Sequence, residues 1–315
     1  MVVRDEQRFL RENLTYHRRL GVTRTYLFLD RCTDDTARIA AELPDVTVLD
    51  RPRRDDEVYM SSFQTRCLAE ALGRARDEAF DWLLHLDADE FARGDDPHPR
   101  WLPRLGQPPT PPSGESIDRA RLTRLLADVS RDIRQVVLRP MDVLPTPVPP
   151  GTLFHHHIHF QNRGALTRSI LDPTTGQTVR FTKRLGHYHG KAIVRVTDDV
   201  RPGNAHRFVD LDGHELPTIH RGLLYHYIAV DGDLWHDKHR KFAEYPAHWE
   251  KGTPVRFPKQ AWKEASLIMN RDEARRYFDR YVALPPSRLD RARWTAAVVR
   301  DPFVHHLIEA DQTDP

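Results

Sequence analysis

The chain has 315 residues, of which 39% are hydrophobic and 30% are charged. Its 48 lysines and arginines nearly balance its 46 aspartates and glutamates, which argues against an extended nucleic-acid-binding surface. The two cysteines, Cys32 and Cys67, are too few for a disulfide framework and lack the spacing of a thiolate zinc site. We therefore expect a globular protein with a substantial core and no nucleic-acid partner.

The sequence also carries no signal that would direct the chain to a membrane. No apolar run is long enough to span a bilayer, and the first ten residues lack the basic and apolar segments of a secretory signal. We therefore expect a soluble, cytoplasmic protein without a transmembrane segment.

Helical and strand-like segments alternate through the first 140 residues. Apolar periodicity predicts helices over residues 6–20, 33–43, 62–79 and 117–129. Short apolar runs predict strands over residues 25–29, 46–49, 82–86 and 135–138, and a proline-rich segment over residues 94–114 predicts a surface loop. This alternation is typical of an α/β fold with a mostly parallel central sheet flanked by helices.

The chain beyond residue 145 is less regular. Strand-like runs occur over residues 179–182 and 192–197. Helical periodicity then predicts helices over residues 234–245, 260–269, 274–282 and 288–309. A cluster of histidines, from His155 to His159, is typical of an exposed loop, because consecutive side chains of a strand cannot all face one metal ion.

Acidic residues follow two of the predicted strands. Asp30 comes directly after the first strand, and Asp87, Asp89 and Glu90 follow the strand over residues 82–86. Ligands of α/β sheets gather at the carboxyl ends of strands, so the sequence predicts an active site there. Two carboxylates separated by one residue can hold a hard cation together with substrate phosphates. They can also cap a following helix, and the motif alone does not decide between the two.

The surrounding sequence resembles the family 2-like glycosyltransferases of the GT-A fold, especially the group related to glycosyltransferase family 92. The run FDWLLHLDADEF resembles the hydrophobic strand and D-x-D-E-F motif of that group. The opening VVRDEQRFLRENLTYHRRLGV is similar to the opening of the group, with Asp5 in place of the usual asparagine. Matching positions there are Glu6, Tyr16, His17 and Gly21. Because only Val2 and Val3 precede Arg4, the first strand would be shortened here.

Two further segments extend the resemblance. LFLDRCTDDTARIA resembles the nucleotide-binding turn of the group, with Asp30, Asp34 and Thr36 in place and Cys32 where serine is usual, and Gln64 matches a recurring glutamine. A fainter similarity covers GKAIVRV at residues 190–196, then His206, the pair His226 and Tyr227, and Lys238. It ends near residue 242.

The resemblance implies a metal-dependent, inverting transfer of a sugar from a nucleotide-diphosphate sugar to a sugar, glycan or small-molecule acceptor. A UDP-sugar is the expected donor, and Mn²⁺ or Mg²⁺ is the expected cofactor. It also implies a GT-A domain over residues 1–242, with the nucleotide-sugar-binding half at 1–140 and the acceptor and catalytic half at 141–242. Residues 243–315 would form a helical C-terminal extension.

The resemblance and the chemistry of a departing diphosphate together assign roles to individual residues. The expected metal ligands are Asp87, Asp89 and His206, and the expected catalytic residues are Asp89, Glu90 and His206. The expected nucleotide-sugar contacts are Arg4, Glu6, Asp30, Asp34, Arg66, Asp87, Lys191 and His226. His226 competes with His206 for the role of downstream histidine, and Glu90 can instead support the acidic turn from behind.

An inverting transferase also needs a group that accepts the proton of the acceptor hydroxyl. Asp142, Asp172 and the pair Asp198 and Asp199 are eligible, and the sequence does not choose among them. A nucleotidyltransferase or nucleotide-diphosphate hydrolase would also place acids and a metal at a strand end, but VVRDEQRF is not the glycine-rich phosphate loop that favours the former. A glycan-binding protein without catalytic activity is the third alternative, and it predicts loss of the acids that are present here.

Overall fold

The computed structural model describes residues 1–97, 113–147, 153–162, 166–182, 184–186, 188–293 and 297–312. Most of the predicted loop over residues 94–114 lies outside this range, and so do the side chains of His155 and His156. His157 is described and is buried, with Nδ1 at 2.6 Å from the carbonyl of Leu153. The prediction of an exposed histidine loop is therefore wrong at His157, because a short helix turns its ring into the core.

Strands and helices alternate in the first part of the described chain, and strands dominate its middle part. The strands are β1 (Val2–Val3), β2 (Thr25–Leu29), β3 (Val46–Asp50), β4 (Trp82–Leu84), β5 (Glu90–Arg93), β6 (Gln135–Val143), β7 (His159–Gln161), β8 (Arg168–Leu171), β9 (Thr178–Phe181), β10 (Lys191–Arg195), β11 (Val200–Asn204), β12 (Arg207–Asp210), β13 (Thr218–His226) and β14 (Val298–Arg300). The helices are α1 (Leu10–Arg19), α2 (Thr36–Ala41), α3 (Met60–Asp77), α4 (Gly114–Ala120), α5 (Leu122–Ala127), α6 (Leu153–His156), α7 (Gly232–Phe242), α8 (Lys259–Ile268), α9 (Arg271–Tyr277), α10 (Pro286–Arg293) and α11 (Phe303–Gln312). A π-helical turn, Phe278–Val282, follows α9.

A parallel sheet of order β1-β2-β3 forms the first layer. Helix α1 connects β1 to β2 and α2 connects β2 to β3, as parallel neighbours require. Residues Leu10, Asn13, Leu14 and His17 of α1 are buried at the three-to-four-residue spacing of one helix face. Asp30 lies directly after β2, at the carboxyl end of this sheet.

The larger sheet is mixed. It contains β4, β5, β6, β7, β10, β13 and β14, and of its pairs β6 with β13 is parallel while the others are antiparallel. The predicted mostly parallel sheet is therefore confirmed only for the first layer. Parallel neighbours need a long crossover, and among the described strands of this sheet only β6 and β13, which are separated in the chain by β7 to β12, are parallel.

The C-terminal residues contribute to both sheet and helices. The predicted helix over residues 288–309 is interrupted by β14, which pairs with β7 at the edge of the larger sheet. Helix α11 then places Phe303 and Leu307 in the main apolar core. A second core surrounds Trp235 and Trp262, where α7, α8 and α9 pack together. Within the described residues, no helix is both long and apolar enough to cross a membrane.

Candidate active site

The acidic turn, residues 87–90, connects β4 to β5 and is fixed on both sides. The Glu90 carboxylate accepts the backbone N–H of Asp87 at 2.9 Å, and the Glu90 N–H donates to the Asp87 carbonyl at 3.1 Å. From α1, the Asn13 amide donates to the carbonyls of Ala88 at 3.0 Å and Glu90 at 2.7 Å. Because the turn leads into a strand, the alternative in which its aspartates cap a helix is wrong.

Phe91, the last residue of the acidic motif, anchors the turn in an aromatic cluster. Its ring centroid lies 5.2 Å from that of Tyr16 and 5.3 Å from that of Tyr227. Beside it, His17 Nε2 accepts the N–H of Ala92 at 3.0 Å. Burial lowers the pKa of His17 to about 4, so its ring is neutral and can accept this hydrogen bond at neutral pH. The Tyr-His pair of the sequence motif thus holds β5 in place.

Two lysines neutralise the two aspartates of the turn. Lys191 of β10 donates to Asp87 Oδ2 at 2.8 Å, and Lys238 of α7 donates to Asp89 Oδ2. The side chains of Asp87 and Lys191 are 31% and 1% exposed, and that of Asp89 is 11% exposed. Burial raises the pKa values of both aspartates, but the neighbouring cations outweigh it and hold both pKa values below their usual range. Both carboxylates are therefore ionised at neutral pH.

His226, the last residue of β13, bridges Asp89 and a second buried carboxylate. Its Nε2 lies 3.6 Å from Asp89 Oδ2, and its Nδ1 lies 3.3 Å from Asp142 Oδ1. Parallel pairing of β13 with β6 places His226 directly opposite Asp142. Burial lowers the pKa of His226, but the two carboxylates outweigh that effect and raise it to about 9. Asp89, His226 and Asp142 therefore form a continuous ionised chain.

The segment before β10 packs closely on this chain. The N–H of Gly186 donates to Asp142 Oδ2 at 3.0 Å. A Cβ at position 186 would lie 2.2 Å from Asp142 Oδ1 and 2.7 Å from His226 Nδ1, so only glycine fits there without displacement. Behind Asp142, the guanidinium of Arg168 is buried and receives no hydrogen-bond partner from the described residues. Burial lowers the pKa of Arg168 to about 10, while the charge of Asp142 opposes that shift.

The structure distinguishes among the predicted proton acceptors by their surroundings. Asp142 is 1% exposed and contacts His226. By contrast, Asp172 closes its own turn by accepting the N–H and hydroxyl of Thr174 at 2.9 and 2.7 Å. Asp198 and Asp199 are exposed and face the surface arginines Arg76 and Arg134. Of the three alternatives, Asp142 is the one that adjoins the acidic turn.

Glu6 lies between the acidic turn and α7. Its carboxylate is 3.7 Å from Lys241 Nζ, and its backbone N–H donates to Thr36 Oγ1 at 2.7 Å. Burial raises the pKa of Glu6 to about 7, while Lys241 opposes the shift and the charges of Asp89 and Asp87 add to it. The sequence-predicted residues Glu6, Asp87 and Asp89 thus share one electrostatic environment.

The predicted base and ribose side of the site is covered by the chain that follows α7. Arg4 donates to both carboxylate oxygens of Glu244, at 2.6 and 2.9 Å. Arg53 lies 3.6 Å from the same carboxylate, and its guanidinium stacks 4.5 Å above the Tyr245 ring. The buried carboxylate of Asp30 accepts the N–H of Arg53 at 2.9 Å. Glu244 and Arg53 thus connect Arg4 to Asp30, and the guanidinium of Arg4 is occupied by the Glu244 carboxylate.

Asp34 and Asp5 form the turns that join the two strand ends. Asp34 accepts the N–H groups of Gln7 at 3.1 Å and Thr36 at 2.9 Å. Asp5 has φ of 52°, and its carboxylate accepts the N–H of Thr33 at 2.6 Å. Asparagine and aspartate are the non-glycine residues that adopt this conformation most readily, which explains why Asp5 can stand where the resembling group has asparagine.

Two curated proteins resemble the chain over part of its length. Both are Arabidopsis thaliana proteins named glycosyltransferase-like. One is 26% identical over 223 residues, which cover 61% of this chain and 44% of the relative; the other is 25% identical over 224 residues, which cover 61% and 39%. The chain thus spans less than half the length of these relatives. No family model matches the chain.

These relatives agree with the sequence resemblance at the level of glycosyltransferase-like proteins. The finer grouping with families 2 and 92 and the functional meaning of the D-x-D-E-F motif remain predictions. The mixed α/β architecture, with acidic residues at strand ends of both sheets, is compatible with these predictions.

Two of the predicted site residues make their contacts away from the acidic turn. Arg66 donates to Glu57 at 2.5 and 2.9 Å on the outer face of α3. His206 Nδ1 lies 2.9 Å from the carbonyl of Gly190. Gly190 directly precedes Lys191, the residue that donates to Asp87. In the described chain, groups of three or more side chains close enough to share an ion occur on α11 (His305, His306 and Glu309) and at the end of β12 (Asp210, Asp212 and His214), and neither group includes Asp87, Asp89 or His206. The metal role of His206 remains a prediction.

Several residues of the site carry no sequence signal that identifies them. Asn13, Arg53 and Glu244 are ordinary polar residues on amphipathic helices or loops. Lys238 and Gln64 match the resembling group, but only the structure shows that both contact the aspartates, with Gln64 Nε2 at 3.0 Å from Asp87 Oδ1. The roles of the sequence-predicted residues remain to be tested by experiment.

Proposed function

We propose that the protein is a glycosyltransferase that moves a sugar from a nucleotide-diphosphate sugar, a UDP-sugar by expectation, to an acceptor hydroxyl with inversion. The observation that carries this proposal is the turn in which Asp87 and Asp89, both ionised and largely buried, each face a lysine beside the His226–Asp142 pair. The names of the two Arabidopsis relatives support it. They describe longer proteins, so activity and substrates of this chain are our inference.

The donor set of the acidic turn fits a hard divalent cation. It offers two carboxylates that are one residue apart and ionised at neutral pH. Carboxylate and phosphate oxygens are the ligands that Mg²⁺ and Mn²⁺ prefer, so Asp87 and Asp89 would hold the ion. When bound, the cation would supply positive charge opposite the departing diphosphate.

Lys191 and Lys238 supply fixed positive charge at the same place. Both ammonium groups already pair with the aspartates, and the charges of Asp87 and Asp89 outweigh burial and raise the pKa of each. They therefore remain protonated when a diphosphate arrives. We propose that they stabilise the negative charge on the leaving group, which is a major source of rate enhancement in such sites.

Asp142 and His226 are the groups that we assign to the acceptor side. Burial raises the pKa of Asp142, but the hydrogen bond with His226 outweighs it and holds the pKa at about 2. Asp142 is therefore ionised, and because so low a pKa makes it a weak base, it would orient His226 and balance its charge rather than remove a proton by itself. Glu90 would act through the turn geometry rather than on the substrate, because its carboxylate holds the Asp87 N–H. It is thus a positioning residue in this proposal.

Calorimetry with UDP, GDP and dTDP tests the proposal most directly. At least one nucleotide should bind in the presence of Mn²⁺, and EDTA should abolish the binding. Equal binding in EDTA would contradict the metal dependence, and failure of all three nucleotides and their sugar conjugates to bind would contradict the transferase. Incubating the matching nucleotide sugar with and without acceptors then separates transfer from hydrolysis, since a hydrolase releases the sugar at the same rate in both.

A further inference from the structure

A short hairpin, residues 247–255, connects α7, which carries Lys238, to α8, and it contacts the start of α3, the helix whose Gln64 donates to Asp87. The N–H of Val255 donates to the carbonyl of Ala247 at 2.8 Å, and the N–H of Trp249 donates to that of Thr253 at 2.7 Å. Gly252 adopts a φ of 76°, which lets the chain reverse direction at the tip. We call this segment the C-terminal hairpin.

The C-terminal hairpin is fastened to the body of the protein at three points. Glu250 accepts the hydroxyl of Ser61 at 2.7 Å, and His248 Nδ1 lies 3.1 Å from the Tyr59 hydroxyl, both at the start of α3. At its base, Lys263 of α8 donates to the carbonyls of Tyr245 and Pro246 at 2.8 and 2.9 Å. The side chains of the hairpin are thus presented from a defined backbone.

Trp249 exposes its indole from this hairpin. Its side chain is 52% exposed, although the adjacent Glu250 and His248 both contact α3. One exposed apolar residue alone would need no explanation. Here, however, the ammonium of Lys259 lies over the indole ring, 5.8 Å from its centroid, so a half-exposed aromatic ring and a cation stand together.

Lys259 differs from the other partly buried lysines described in the structure. Lys191 and Lys238 pair with carboxylates, and Lys241 and Lys263 donate to carbonyls. Lys259 has no hydrogen bond or ion pair with the described residues, although it is only partly exposed. Burial and the charge of Lys238 lower the pKa of Lys259, and the charge of Asp142 opposes the shift.

We propose that Trp249 and Lys259 form an acceptor subsite for a sugar that carries an anionic group, a carboxylate or a phosphate. The apolar face of a sugar ring packs on the indole, and the anion pairs with the ammonium of Lys259. A partly desolvated cation that contacts an indole ring and pairs with no carboxylate among the described residues favours a ligand that brings a negative charge. This inference rests on the proposed transferase function and adds a class of acceptor to it.

Saturation-transfer NMR and calorimetric titration test the subsite on the full chain with UDP and Mn²⁺ present. The ligands are glucuronate, glucose 6-phosphate and glucose, which share a ring and differ in charge. We expect at least one anionic sugar to bind on the order of tenfold more tightly than glucose. The Lys259→Gln variant should lose this preference, and Trp249→Ala should weaken all three ligands. Lys251→Gln, on the same hairpin and exposed, is the matched control and should bind like the wild type.

Equal binding of glucose and both anionic sugars, no binding of any of the three, or an unchanged charge preference in Lys259→Gln would overturn the subsite. So would a loss of UDP affinity in Lys259→Gln as large as its loss of anionic-sugar affinity, because Lys259 would then serve the donor. The UDP titration in the same samples separates the two proposals. Metal-dependent UDP binding without a charge preference refutes only the subsite, whereas failure of UDP, GDP and dTDP all to bind refutes the transferase.

Discussion

Replacement of Asp89 by asparagine is the sharpest test of the proposed active site, because it keeps the side-chain volume and removes one charge. Asp89 is 11% exposed and is the carboxylate partner of Lys238 and His226. Under the proposed function it also holds the cation that neutralises the departing diphosphate. Losing one such electrostatic contact should lower turnover on the order of 10²-fold or more.

The same substitution should cost some stability. Removing one partner of a buried ion pair typically costs about 3–5 kcal/mol. Lys238 is 26% exposed and can turn toward water, so we expect a smaller loss, about 1–3 kcal/mol, and a folded variant. Donor consumption measured against Mn²⁺ concentration gives the turnover, and denaturant unfolding gives the stability. Asp198→Asn, an exposed aspartate 3.8 Å from Arg76, is the matched control and should change neither.

A double-mutant cycle separates a catalytic Asp89 from one that merely pairs with Lys238. If pairing is its whole contribution, Lys238→Gln alone should lower turnover as much as Asp89→Asn, and the double variant should be no slower than either. If Asp89 binds the cation, only the variants that lack Asp89 should lose their dependence on Mn²⁺. Wild-type turnover and unchanged Mn²⁺ dependence in Asp89→Asn would remove Asp89 from the active site and refute the reasoning.

Three further predictions concern the surrounding residues. Asp30→Ala should weaken nucleotide binding in calorimetry while the protein stays folded. Unchanged affinity would show that the nucleotide base does not bind beside Asp30. Gly186→Ala should lower activity at least tenfold because its Cβ would lie 2.2 Å from Asp142 Oδ1. Gly73→Ala is the control and should keep wild-type activity, because nothing lies within 4 Å of its Cβ. Equal activities of the two variants would contradict the close packing at Gly186. The pKa of His226 is raised from 6.5 to about 9, so its contribution, on the order of 3 kcal/mol, is present below pH 6.5 and lost as pH rises through 9. Denaturant unfolding from pH 6 to 10 should show this loss in the wild type and not in His226→Gln.

The first layer of the fold could be predicted from the sequence because its signals are local. Apolar runs bounded by turn residues gave β2 and β3 nearly to the residue, and helical spacing gave α3 within two residues at each end. The predicted helix over residues 117–129 is instead two short helices, α4 and α5. Residues 298–300 became a strand because β7 offers an edge to pair with, which is a tertiary effect that periodicity does not contain.

The site also contains residues whose proximity the sequence predicts and residues that only tertiary packing brings together. Asp87, Asp89 and Glu90 stand together in the sequence at the end of an apolar run, so their proximity could be predicted. Glu244, in contrast, is 240 residues from Arg4, and only the packing of the chain after α7 against the first sheet brings the two together. Lys238 lies on an amphipathic helix, where the sequence pattern is the same for a solvated lysine and for one that faces a buried carboxylate.

The paired charges of the acidic turn suit a substrate that arrives as a polyanion. Burying an uncompensated charge costs several kcal/mol, so each ionised group needs a partner both before and after the donor binds. Before binding, Lys191 and Lys238 compensate Asp87 and Asp89. Under the proposed function Asp87 and Asp89 would hold a divalent cation, and Lys191 and Lys238 would then pair with the diphosphate, so that every buried charge would keep a partner. The Lys238→Met variant lacks this ammonium, so its donor affinity should fall even at saturating Mn²⁺. If Lys238 only holds the turn in the absence of donor, the donor affinity of the metal-loaded variant should equal that of the wild type.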